Sequence, residues 1–200
     1  MPQTPQLSME PIVNKPESYI KLLNDFTMDP WDWNSPLIPI MEEKYSKLGQ
    51  MRNNYLSEWE KFAERVRAMD GVYEVRDSSF QHGNHILSVK VRMAGPGCKG
   101  LVLFVSMLGV YGVHFADYQK QALVPLEDGS KKVWYSYYPY DEEGEIFARK
   151  LLYEVGKLFQ DYSKFDNLYA SIRVKNIHLD HLEKELDLFS AIFTNNIFFL

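Results

Sequence analysis

Residues 101–113, LVLFVSMLGVYGV, are the most apolar stretch of the chain and the feature that most restricts its fold. Thirteen residues are too few for a helix that crosses a bilayer, and the β-branched content favours extended chain. Leu101 to Ser106 therefore predicts a strand. It is apolar without alternation, so it needs cover on both faces and belongs at the centre of a sheet. Gly109 marks a turn or a bulge. Val110 to Phe115 follows either as a second strand or as a bent continuation of the first.

Flanking segments supply partners for this strand. From His85 to Met93 the residues alternate, with Leu87, Val89, Val91 and Met93 on the face predicted to be buried. Val72 to Arg76 reads as another strand. Glu127-Asp128-Gly129-Ser130 is a hairpin signal ahead of a strand over 132–138, because Asp-Gly accommodates the positive φ of tight turns. Gly95-Pro96-Gly97 is a further break. These segments predict four or five strands, mostly antiparallel.

Cover for the sheet comes from stretches with helical period. Tyr45, Leu48, Met51, Tyr55, Trp59, Phe62, Val66 and Met69 recur at intervals of three and four, which predicts one long helix over about 41–69 ending at Asp70-Gly71. Ile146, Phe147, Leu151, Leu152, Val155, Leu158, Phe159 and Tyr162 predict a second over about 142–162. Leu168 to Val174 reads as a short strand. Asp180 is placed to cap a terminal helix that turns Leu182, Leu186 and Phe189 inward, with Glu183 at capping-box spacing. The fold class is α+β: a mostly antiparallel sheet of four or five strands, two long helices packed on it, and a short C-terminal helical element.

Seven of the ten prolines lie in residues 1–40. Residues 1–16 read as a flexible N-terminal arm and 17–200 as a single domain, with DPWDWNSPLIPI an ordered loop wrapping the core. The first residues lack a basic region followed by an apolar one, so no classical secretory signal is expected and the expected location is cytoplasmic. The C-terminal LDLFSAIFTNNIFFL is interrupted by Asn195 and Asn196 and reads as a buried end segment, so no transmembrane segment is expected.

Charge narrows the partners. The chain carries 22 Lys and Arg against 27 Asp and Glu, a formal charge of −5, with neither half basic. No footprint for nucleic acid is present. Cys98 is the single cysteine, which excludes an intrachain disulfide, a CxxC pair and a cysteine-built zinc site. His82 and His85, and His178 and His181, form two HxxH pairs without a third ligand. No metal and no cofactor are predicted. GPGCKG lacks the spacing of a phosphate-binding loop.

Two catalytic patterns deserve a geometric test. His114 and Asp117, in HFADY, are spaced for a base and its orienting acid, with Ser106 or Cys98 as the nucleophile. Ser106 lacks the GxSxG elbow, and Cys98 shows only a neighbouring Lys99 to favour thiolate. A small hydrolase at His114/Asp117 is therefore an alternative reading, and no catalytic residue is assigned.

The leading site is aromatic and acidic. WYSYYPY at 134–140 is followed by Asp141, Glu142, Glu143 and Glu145 near a helix start, where negative charge suits the helix dipole. Trp134, Tyr138 and Asp141 are the predicted partner-binding residues, with the rings supplying desolvated area and the carboxylate favouring a basic protein surface. The function expected is that of a protein-binding module, one version being an inhibitor or immunity-like protein. The remaining alternative is a structural, self-associating protein.

Overall fold

A computed structural model describes residues 15–26, 34–53, 57–79, 86–94, 99–117, 134–174 and 186–193, with Phe26, Ile86, Trp134 and Tyr135 described by backbone alone. The architecture is α+β. Helices α1 (Pro16–Phe26), α2 (Leu37–Asn53) and α3 (Glu58–Arg67) precede strands β1 (Val72–Asp77), β2 (Ile86–Met93), β3 (Lys99–Ser106), β4 (Val110–Asp117) and β5 (Trp134–Ser136). Then come α4 (Glu142–Leu158), β6 (Ser163–Lys164), a 3-10 turn (Asn167–Tyr169), β7 (Arg173–Val174), β8 (Leu186–Asp187) and α5 (Leu188–Phe193).

The sheet runs β1-β2-β3-β4-β5 with each neighbour antiparallel, and β6 adds a short parallel pairing to the start of β4. Strands β7 and β8 pair separately. Val110 to Phe115 is thus a true second strand, turned back at Gly109, whose φ of 81° lies in the left-handed region that glycine tolerates.

Register sorts the side chains into two faces. Leu87, Val89 and Val91 pair along β3 and β4 with Leu101, Leu103, Val113 and Phe115, and all are buried. This first face packs under α3 and α4, which contribute Phe62, Val66, Phe147, Leu151 and Val155. The second face carries Val102, Phe104, Gly112 and His114, and α5 lies over β3 there. Phe189 and Phe193 of α5 pack on Phe104 and Phe165, with Phe165–Phe189 ring centroids 5.4 Å apart. Tyr19 of α1 joins this layer against Phe165, donating its hydroxyl to the Lys164 carbonyl and accepting from the Asp166 N–H. β3 is covered on both sides, as its unbroken apolar character requires.

The helix layer differs from expectation at one place. In place of a single helix over 41–69 there are two, and α2 begins earlier, at Leu37, inside the stretch expected to be loop. The break is chemical. Ser57 adopts a non-helical ψ of 151° and accepts the Glu60 N–H at 3.1 Å, which makes it the N-cap of α3. Ser57-x-x-Glu60 is the capping-box spacing, hidden in sequence because the apolar period runs on from Tyr55 to Trp59.

Helix α4 ends at Leu158, four residues short of expectation, because the chain then turns into β6. The expected strand at 168–174 begins in the 3-10 turn and continues through further turn, with only Arg173 and Val174 in a strand. The proposed Asp180 cap lies outside the described residues. Leu186 is in β8 rather than a helix, and Phe189 lies in α5, where Asp187 accepts the Ser190 N–H at 2.8 Å. Residues 1–14 of the expected arm at 1–16, and the 127–130 hairpin, also lie outside the described residues, while Pro16 already opens α1.

Candidate functional site at the β3, β4 and α4 corner

Lys99 opens β3, and its register partner on β4 is Asp117; Asp117 in turn is paired with the backbone of Trp134 on β5. One step further into the sheet the pairing is Leu101, Phe115 and Ser136. Alternation puts Lys99, Leu101, Phe115 and Asp117 on the first face. Here the chain leaves β5 and enters α4 over the end of that face. Tyr140 and Asp141 arrive beside Lys99, and a pocket of about 250 Å³ forms between them, walled by Met93, Ala94, Leu101 and Phe115 and edged by Glu143 and Gly144.

Asp141 is committed to the fold. It is extended, with φ −159° and ψ 173°, and caps α4 by accepting the Gly144 N–H at 2.8 Å. Its other carboxylate oxygen pairs with the Lys99 ammonium. Lys99 first, and then the Gly144 N–H, hold the Asp141 carboxyl below the usual range, while Asp141 pushes the Lys99 ammonium up. Burial raises the Tyr140 phenol, and the charge of Asp117 adds to the shift. Asp117 itself is 7% exposed, and its charge adds to the upward push on Lys99.

Of the three residues expected to bind a partner, only Asp141 lines this pocket. Tyr138 is 49% exposed, just past the end of β5, with its N–H bonded to the Ser136 hydroxyl. Trp134 is placed by backbone register opposite Asp117, and its side chain lies outside the description. Lys99, Asp117, Tyr140 and Glu143 complete the corner. Sequence reasoning treated Lys99 only as a neighbour of Cys98, because the pairing that brings it to Asp141 spans 42 residues.

The His114/Asp117 pattern separates. Three residues apart on a strand, the two side chains take opposite faces. The His114 imidazole stacks on Phe189 and also meets Tyr137, at centroid distances of 3.8 and 4.9 Å. Ser106 pairs with Val110 and His114 with Val102, so four residue steps, roughly 13 Å of strand, separate Ser106 from the histidine's partner. The Ser106 hydroxyl accepts the Leu108 N–H at 3.2 Å. Cys98 and the four other histidines lie outside the described residues.

Around His114 a different polar group collects. Asp187 accepts from the Tyr137 hydroxyl, caps α5 and pairs in register with Arg173. Burial pushes the His114 pKa down to about 4, against the opposing pull of Asp187, and raises the Tyr137 phenol. This cluster lies within the aromatic layer and serves to seat α5.

Among the described residues no group of three or more His, Cys, Asp or Glu side chains is placed to hold a metal ion, and no helix is long and apolar enough to cross a membrane. No family model, curated protein or solved structure matches the chain.

Proposed function

We propose that this chain is a protein-binding module that engages a basic partner through the corner formed by Trp134, Tyr138, Tyr140 and Asp141. The observation that carries the reading is a pocket edged by the Asp141 and Glu143 carboxylates, with exposed Tyr138 in the short segment that leads into it from β5. Exposed Tyr is suited to such surfaces because it adds apolar area and a polar tip at low entropic cost. Opposite-face placement of His114 and Asp117 favours binding over hydrolysis. An inhibitor or immunity-like protein is the finer form of this reading, in which the corner covers a working surface of the partner.

The test is capture of a partner on immobilised full-length chain, reconstitution of the purified pair, and calorimetry with Tyr138→Ala. Affinity at least tenfold weaker, with unchanged unfolding, supports the corner; unchanged affinity removes it. Loss of the partner's own activity on binding supports inhibition. Recovery of the chain itself as its partner supports the self-associating alternative.

A further inference from the structure

The corner pocket has a charge pattern that selects its occupant. Two features at this place favour an anion: the Lys99 ammonium and the open N–H groups at the start of α4. Both already face the chain's own Asp141 carboxylate, which bonds the Gly144 N–H and pairs with Lys99. An incoming anion would have to displace it. With that pair neutralised, Glu143 at the pocket's edge leaves the lining negative. Glu143 is exposed and joins no ion pair among the described residues.

The walls complete the selection. Met93, Leu101 and Phe115 give an apolar lining for a methylene stem, and Tyr140 gives an aromatic ring. At about 250 Å³ the space suits one side chain, being below the roughly 300–1,000 Å³ of pockets for drug-sized ligands. A long stem ending in a cation matches all of this; a carboxylate, a phosphate or a wholly apolar chain does not.

We infer that this pocket is a socket for the side chain of one arginine carried by a protein partner. The inference rests on the protein-binding reading and deepens it: Tyr138 is the outer contact, and the socket fixes the register of the partner. Lys99 opposes entry. Its charge repels the guanidinium, and it holds Asp141, which is otherwise able to receive the newcomer. Replacing Lys99 with a neutral residue of similar length should therefore strengthen binding of a cation.

The experiment is an amide NMR titration of the full chain with N-acetyl-arginine amide, N-acetyl-citrulline amide and inorganic phosphate as separate probes. The arginine probe should shift the Gly100, Tyr140 and Gly144 signals saturably, and the uncharged citrulline probe should bind at least about threefold more weakly. Lys99→Met should tighten the arginine probe by about threefold and Glu143→Gln should loosen it by about as much. Signal dispersion reports folding, and exposed Glu143 gives a second variant if Lys99→Met unfolds.

Equal binding of citrulline overturns the cation socket. So does a phosphate response that Lys99→Met abolishes. If the probe fails while the reconstituted partner still depends on Tyr138, the socket falls and the binding module stands. If the probe seats but partner affinity ignores Glu143→Gln, the site takes a free cation and the protein-borne arginine is overturned.

Discussion

The imidazole of His114 lies face to face with the ring of Phe189, centroids 3.8 Å apart and planes within 16° of parallel. β4 thereby holds α5 through a ring that is most comfortable without charge. Phe104 meets the same imidazole edge-on at 5.7 Å, and Tyr137 closes a further side at 4.9 Å.

Stability should therefore fall between neutral pH and about pH 4. The His114 pKa is lowered from 6.5 to about 4 in the folded chain. The unfolded chain takes up the proton first as pH drops, so the contribution is complete above 6.5 and is lost progressively down to the folded value. The full loss is on the order of 3 kcal/mol. Asp187 faces the ring and moderates the effect. Urea unfolding of the native chain and of His114→Phe at pH 7 and 4.5 checks this: the native chain should lose more than the variant. Equal losses would place the acid sensitivity elsewhere.

Gly112→Ala should destabilise the fold by about 1–3 kcal/mol, the range for overpacking a filled interior. A Cβ at Gly112 would meet Phe165 Cβ and the Phe193 ring, each at 3.1 Å. Thermal unfolding measures the cost. Gly49→Ala is the control, since nothing lies within 4 Å of its added carbon and alanine favours the helix.

Ser57→Ala should cost about 0.5–2 kcal/mol by removing the cap that starts α3. Ser57→Asp should keep it, because a carboxylate accepts the same Glu60 N–H and suits the helix dipole. Urea midpoints of the two variants separate a capping role from a general intolerance of the site.

At Asp141 the carboxylate has two structural duties, so its substitutions should divide. Asp141→Asn retains an oxygen for the Gly144 N–H and loses the charge that faces Lys99. Asp141→Ala loses both and should cost about 0.5–2 kcal/mol through the cap. With a reconstituted partner, association under Asp141→Asn should change chiefly at low salt. An aromatic contact at Tyr138 should instead register as about 2 kcal/mol or more of binding energy at any salt, measured by calorimetry.

The strands were legible because their signal is local. Leu87, Val89 and Val91 alternate, and Leu101 to Ser106 does not, which distinguishes a strand with one polar face from a central one. The break at Ser57 was hidden, since a cap and a helix interior share the same apolar spacing when two helices follow in phase. Asp187 was missed as a cap for a similar reason: Asp180 offered the stronger capping-box pattern seven residues earlier. Tyr138 and Asp141 came from a compact aromatic and acidic segment. Lys99, Met93 and Phe115 did not, because the pocket exists only after three strands take register and α4 closes on them. The His114/Asp117 pairing read as chemistry in one dimension and dissolves under strand alternation.

The layer over the second face has an unusual origin in the chain. Its parts are α1, Phe165 and α5, drawn from residues as far apart as Tyr19 and Phe193. The four strands β1 to β4, by contrast, follow one another as direct neighbours within residues 72–117. Closing the long loops that join α1 to α5 carries more entropic cost than forming successive hairpins. The meander is thus expected to form early, with the aromatic layer added on it. In the native state the amides of α1 and α5 are therefore expected to exchange through an opening that leaves β2, β3 and β4 protected, which hydrogen exchange would show as two tiers. One sheet face is covered by chain close to it in sequence, and the other waits for the two ends to be brought together.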